Sequence, residues 1–245
     1  MSGLGLALPI LPGKEKLIDS YDWRAQIGEY TKSRERAGIT LERVWIQRNP
    51  PGWEGQAGQY MMNLYVETES SSGSGAALKV FHSGSEFDKR FLELSREITG
   101  LEFAPGALGV TRKNVASWSD GSKQRYPGLM FTTPFQRGKR DAKGFRTEMY
   151  EKRSSELAAS RKAMGLSREE VFVEHTPAWA GGDLLTVYVE GPQLRPNALR
   201  TATSAFDGQF KSGLKALLPS FVDIQNPAPP LEIEQKWDWQ SGQKH

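Results

Sequence analysis

Two phenol–carboxylate pairs recur in this chain. Tyr65 and Glu67 stand two residues apart in "LYVET", and Tyr188 and Glu190 stand two apart in "VYVEG", 123 residues later. An extended strand turns alternate side chains to one face, so each pair shares a face. A phenol beside a carboxylate can hold, orient or move a proton on a small substrate. The same alternation adds Trp45, Gln47 and Asn63 to the first pair, and Phe172, Glu174 and Thr186 to the second. In this reading Trp45, Gln47, Asn63, Phe172 and Thr186 line a ligand cavity. Glu174, Glu190, Glu67, Tyr65 and Tyr188 are the proton-moving candidates, with Glu67 and Glu190, or Glu174 and Glu190, as possible paired carboxylates. The alternative is structural: buried phenols and carboxylates need partners, and a repeated set can satisfy itself as a symmetric seal. Differences between the copies, Gln47 against Glu174 and Asn63 against Thr186, instead favour one half carrying chemistry that the other lacks.

The histidines add two candidates. His175 ends a strand and would serve as a general base at a cavity mouth, or simply make a strand-end hydrogen bond. His82, in "KVFHSGSEFD", lies just ahead of a helix; His245 is terminal. No HxH, HExxH, GxGxxG or GxxxxGK[ST] pattern occurs, and no nucleophile elbow. With no cysteine, disulfides, thiolate metal sites and cysteine nucleophiles are excluded, which fits the cytoplasm. The net charge is +3, from 32 basic and 29 acidic residues, close to balance. The densest basic run, "RGKRDAKGFR", reads as a solvated helix start, so no nucleic-acid partner is expected. "MSGLGLALPILPG" lacks a basic leader and contains Pro9, and is read as a first strand rather than a signal peptide. No run has the length of a membrane span.

The elements that must position these residues are duplicated. "SRERAGITLERVWIQRNP", Ser33–Pro50, returns as "SRKAMGLSREEVFVEHTP", Ser160–Pro177, with Ser-Arg, Gly, Glu, Val and Pro repeated at a spacing of 127. Each half reads strand, helix, strand, strand, helix. First strands are expected at Leu4–Leu11 and Pro127–Phe135, and helices at Lys14–Ala37 and Lys139–Met164, ended by Gly38 and Gly165 as left-handed caps. The second strands close at Pro50 and Pro177. Phe87, Phe91, Leu94 and Ile98 fall on one helical face, as do Phe206, Phe210, Leu214 and Leu217. Ser85 with Asp88, and Ser204 with Asp207, form the capping pattern ahead of each. Short fourth strands are expected at "GLEF" after Thr99 and "SFVDIQ" after Pro219. Trp118 and Trp237 share the 119-residue offset that relates Phe87 to Phe206, so each copy carries its own extension. "LEIEQKWDWQ" is a last strand or a strap over the partner half. The expected division is a first repeat at 1–105, a connecting extension at 106–126, a second repeat at 127–225 and a C-terminal strap at 226–245.

The β-α-β-β-α order and the G-[IL]-[TS]-x-E-x-[VF] turn into strand two resemble the dimeric α/β-barrel superfamily. Its members include antibiotic-biosynthesis-type monooxygenases, stress-responsive barrel proteins and chlorite-dismutase-like haem proteins. The resemblance implies an α+β fold of two tandem ferredoxin-like repeats, packed sheet to sheet as an intramolecular pseudo-dimeric α/β barrel. The chain would then be a monomer with an internal pseudo-two-fold, or a dimer through its outer surface. It implies a small organic ligand, and a cofactor-free enzyme of the oxygenase, isomerase or decarboxylase type acting on an aromatic or polyketide-like metabolite. A non-catalytic metabolite- or partner-binding module is the alternative. No cofactor is expected; a haem protein, with His82 as ligand, stands behind both, since haem-binding relatives carry their histidine on the helix that His82 only precedes.

Overall fold

The computed structural model of the chain describes residues 2–20, 24–49, 59–69, 84–102, 111–135, 142–175, 183–194, 201–218 and 232–243. These belong to two compact units, residues 1–110 with 232–245, and residues 111–231. In the first unit β1 (Ser2–Ile10) is followed by α1 (Leu17–Ser20), α2 (Ile27–Arg36), β2 (Ile39–Arg48), β3 (Tyr60–Thr68) and α3 (Glu86–Thr99). The second runs β4 (Thr111–Ser119), β5 (Gly128–Phe135), α4 (Ala142–Arg146), a π-helical segment (Thr147–Lys152), α5 (Ser154–Ala163), β6 (Arg168–His175), β7 (Asp183–Glu190) and α6 (Ala205–Leu217). The last strand, β8 (Glu232–Gln240), belongs to the first unit.

Local chemistry explains most boundaries. Gly38 and Gly165 take φ of 67° and 77°, the left-handed turn that only glycine adopts without strain, and release the chain from helix into strand. Ser85 and Ser204 cap α3 and α6 in full capping boxes, with Asp88 and Asp207 reaching back to the cap N–H. The long helices expected ahead of the glycines are interrupted. Residues 24–26 form a turn between α1 and α2, and the π-helical segment splits α4 from α5. That segment points Tyr150 at β6, where its hydroxyl donates to Glu169 (2.6 Å).

Each unit holds one four-stranded antiparallel sheet, in the orders β1-β3-β2-β8 and β5-β7-β6-β4. The central strands follow the repeat, but the fourth strands are exchanged. β4 follows the first repeat and pairs with β6; β8 follows the second and pairs with β2. The stretch read as a connecting extension thus contains β4, and "LEIEQKWDWQ" is a strand of the first sheet. The fourth strand expected at "GLEF" does not form: α3 stops at Gly100, in a left-handed cap, and Leu101 and Glu102 are not in a strand. The edge of β2 is taken by nine residues of β8 with Trp237 and Trp239, a longer ladder and a larger apolar surface than a tetrapeptide offers. "SFVDIQ" lies outside the described residues.

The ladder also corrects an alignment. Trp118 lies opposite Glu169 and Trp239 opposite Glu42, so the counterpart of Trp118 is Trp239, not Trp237. Both exchanged strands carry a one-residue bulge at the same place. Lys236 is the extra residue between the partners of Val44 and Trp45, and Val115 the extra residue between those of Val171 and Phe172.

The helix-covered face of each sheet is apolar, as the alternation requires. Ile46, Met62, Leu64 and Val66 meet Tyr30, Phe87, Leu92 and Ile98 in the first unit. Val171, Val173, Leu185 and Val187 meet Phe145, Leu214 and Leu217 in the second.

Candidate functional site

The identities that define the repeat build one cluster in each unit. Arg34 on α2 grips Glu42 on β2 through two hydrogen bonds, Nε to Oε2 (2.7 Å) and NH2 to Oε1 (3.1 Å). In the second unit Arg161 pairs with Glu169, its NH2 donating to Oε1 (3.0 Å) and its Nε lying 2.8 Å from Oε2. Each guanidinium lies over an aromatic ring of the capped helix, Phe91 at 4.2 Å and Phe210 at 4.4 Å. Burial works against the Arg34 charge, but Glu42 beside it outweighs that and raises its pKa; Arg161 is raised by Glu169 in the same balance. Desolvation, reinforced by the neighbouring carboxylate, pushes the Tyr30 and Tyr150 phenols well above their usual value, so both stay protonated. The repeated Ser-Arg and Glu were visible in the sequence, but their meeting across helix and strand was not.

Next to each ion pair, a serine of the preceding helix donates to the capping aspartate: Ser33 to Asp88, and Ser160 to Asp207 (2.5 Å). Burial alone would raise these carboxyl pKa values. Hydrogen bonds from Ser33 and Ser85, and from Ser160 and Ser204, together with the nearby arginines, more than offset it and hold both below the usual 3.8. A carboxyl depressed on folding contributes stability above its unfolded pKa and loses it as pH falls through the folded value. Acid unfolding is therefore expected to steepen below pH 3.8. Asp88→Asn and Asp207→Asn should each cost about 1–2 kcal/mol at neutral pH. In urea titrations that deficit should shrink as pH drops; a deficit constant down to acid pH would rule the linkage out.

The first unit holds a cavity among the described residues. About 50 Å³ lies between α3 and the sheet, lined chiefly by Ile18, Val44, Met62, Leu64, Leu94 and Ile98. Tyr30, Glu42, Ser95 and Lys236 also line it, though nearly all of the lining surface is apolar. In the second unit the equivalent space is packed. Gly213 replaces Leu94 on the capped helix, and Phe145 fills the room so closely that a Cβ at Gly213 would run into its ring. Phe145 and Tyr150 also stack on Phe210, at 5.1 and 5.9 Å. Leu214 and Val115 complete that core where the first unit has Ser95 and Lys236.

None of the strand-face candidates lines this cavity; they lie on the opposite faces of the sheets. Trp45, Gln47, Asn63, Tyr65 and Glu67 are fully buried, as are Phe172, Glu174, Thr186 and Tyr188, with Glu190 nearly so. The structure joins them in short chains within each unit. Tyr65 donates to Glu67 (2.9 Å), and Asn63 to Gln47 (3.1 Å), which donates in turn to Asn49 (2.8 Å). Tyr188 donates to Glu190 (2.8 Å), which also accepts from the Tyr126 N–H (2.7 Å) and pairs with Arg125 (3.3 Å). Thr186 shares a hydrogen bond with Thr132 (3.0 Å). Trp45 lies opposite Asn63, Phe172 opposite Thr186 and Glu174 opposite Leu184. His175 is exposed at the end of β6, 3.1 Å from Asp183. His82 lies outside the described residues. Among the described residues no three acidic or histidine side chains gather as a metal site, and no helix is long and apolar enough to cross a membrane.

No family model matches the chain, and no curated protein matches it. Among solved structures it is similar to an anthrone oxidase-like protein, at 13% identity and a TM-score of 0.45 over 99% of this chain and 94% of that one. It is also similar to a "Putative monooxygenase" from Fusobacterium nucleatum subsp. nucleatum, at 9% identity and a TM-score of 0.48 over 98% and 94%. The chain itself is an α+β protein of two units, each with a four-stranded antiparallel sheet and packed helices.

Proposed function

We propose that the chain is a small-molecule-binding protein whose ligand enters the cavity of the first unit. The observation that carries this reading is the contrast between the repeats: two units of common design, one packed solid by Phe145, Tyr150 and Leu214, the other left open under α3. A well-packed interior leaves few voids, so a space left open in one unit, where Phe145 and Leu214 close its counterpart, suits a ligand. An apolar cavity of about 150 Å³ takes a benzene ring. At about 50 Å³ this one admits two or three heavy atoms as it stands, and a branched alkyl or aromatic body needs α3 to move outward.

The reading favours binding over turnover. Both oxygens of Glu42 are held by Arg34, and a like Tyr–Glu–Arg cluster stands in the second unit, where Phe145 and Leu214 pack the corresponding space, which favours a structural role for it. A cofactor-free oxygenase, isomerase or decarboxylase is the second reading, favoured by Tyr30, a protonated phenol at the cavity that would have to turn from Glu42 to donate to an enolate or carbonyl oxygen. Incubation with polyphenolic substrates separates the two: an oxygenase takes up oxygen, a decarboxylase releases carbon dioxide, an isomerase changes the substrate's absorption spectrum, and a binding protein does none of these.

Ser95→Leu, the residue that the second unit has in register, tests the site. In the wild type, 3-methylbutan-1-ol is expected to shift the methyl NMR signals of Ile18, Leu94 and Ile98. The variant should fold normally and show no such shifts. Unchanged shifts in Ser95→Leu would place binding elsewhere.

A further inference from the structure

The bulge in the exchanged strands serves two different purposes. An extra residue in a strand turns a side chain to a face that regular alternation would deny it. In β4 that residue is Val115, which packs into the apolar core beneath the helices. In β8 it is Lys236, which lines the cavity together with its neighbour Trp237. The same backbone device thus delivers a methyl-bearing side chain in the closed unit and an ammonium in the open one.

Lys236 is well placed to meet an anion. Its side chain is 14% exposed, so the stem runs along the cavity wall while the ammonium sits at the solvent edge. Two hydrogen bonds hold it there, to Asp19 Oδ1 and Glu234 Oε1, both at 2.7 Å. An ammonium has three donors, so one direction is left for a ligand. Both carboxylates are largely exposed, at 57% and 70%, and surface ion pairs of that kind contribute little, so exchanging one for a ligand oxygen costs little. Glu42, the other charge at the cavity, is already engaged by Arg34 and leaves the field at Lys236 open to an incoming anion.

We propose that Lys236 makes the cavity selective for small carboxylic acids, the carboxylate meeting the ammonium while the alkyl body enters the space beneath α3, which moves outward to take it. The inference rests on the cavity being the ligand site, and its test separates the two ideas. Sodium 3-methylbutanoate and 3-methylbutan-1-ol share one alkyl body and differ in the charged head. Titrated into the full-length protein and followed by NMR, the acid should bind about tenfold more tightly than the alcohol, as charge-assisted hydrogen bonds exceed neutral ones. Lys236→Val, which installs the residue used at the equivalent bulge, should reduce the acid to the affinity of the alcohol. Asp19→Asn, which leaves the lysine and removes a competitor, should tighten acid binding a few-fold. Equal affinities in the wild type, or a preference that survives Lys236→Val, would overturn the role of Lys236 and leave the cavity as a neutral site. Failure of both compounds to bind would overturn the cavity reading, and this inference with it.

Discussion

Arg34→Ala is expected to destabilise the first unit by about 3–5 kcal/mol, the usual consequence of leaving one member of a buried ion pair behind. Arg34 is fully buried and Glu42 only 3% exposed, so water cannot replace the lost partner. The guanidinium also lies 4.0 Å from the Tyr30 ring centre and 4.2 Å from that of Phe91, contacts that alanine forfeits. The duplication supplies the control: Arg161→Ala should weaken the second unit to a similar degree. Replacing both partners, as in Arg34→Met with Glu42→Leu, should recover most of the loss, because the penalty comes from the orphaned charge rather than from the missing attraction. Urea unfolding measures all three. A single variant within about 1 kcal/mol of the wild type would mean that Glu42 is rescued by solvent and that the pair does not pin α2 to β2.

Trp239→Ala should cost the first unit about 3–5 kcal/mol as well, although the residue lies more than 190 positions beyond β2 in the chain. The indole is fully buried, its ring centre is 6.0 Å from that of Tyr30, and its Nε1–H donates to Thr31 (3.1 Å). Deleting residues 232–245 should go further. It removes the whole β2–β8 ladder, the Arg43–Asp238 pair at 2.9 Å and the Trp237–Tyr30 contact at 4.9 Å. A domain's net stability is only about 5–15 kcal/mol, so the truncated first unit is expected to unfold or aggregate through the exposed edge of β2. The amides of β2 should lose their protection from hydrogen exchange while those of β6 and β7, whose sheet is completed by β4, keep theirs. Protection retained across β2 in the truncated chain would show that β8 is dispensable.

Much of this architecture could be read without coordinates because it is written in short spacings. The capping boxes at Ser85 and Ser204 involve residues three apart, and the helix-ending glycines answer a purely local demand on φ. The central strands were found because alternation separates Ile46, Leu64 and Val66 from Gln47, Tyr65 and Glu67. That division also foretold which face the helices would cover. "LEIEQKWDWQ" is legible as a strand, but β4 and the partners of both edge strands are not, because edge pairing is chosen by competition between segments far apart in sequence. "GLEF" has the composition of a strand, and nothing local says that a longer strand with two tryptophans will occupy the edge of β2 instead.

The candidate site divides along the same line. By itself the sequence determined the repeat, the pairing of Tyr65 with Glu67 and of Tyr188 with Glu190, and the constancy of Arg34 and Glu42 with Arg161 and Glu169, since each is a relation of identity or fixed spacing. Tertiary structure alone decided that the two units differ inside. Ile18, Leu94, Ser95 and Lys236 leave a space that Phe145, Gly213, Leu214 and Val115 close, and the elements bearing them are far apart in the chain. A cavity is a shortfall of volume summed over several elements, and no spacing in a one-dimensional pattern records such a sum.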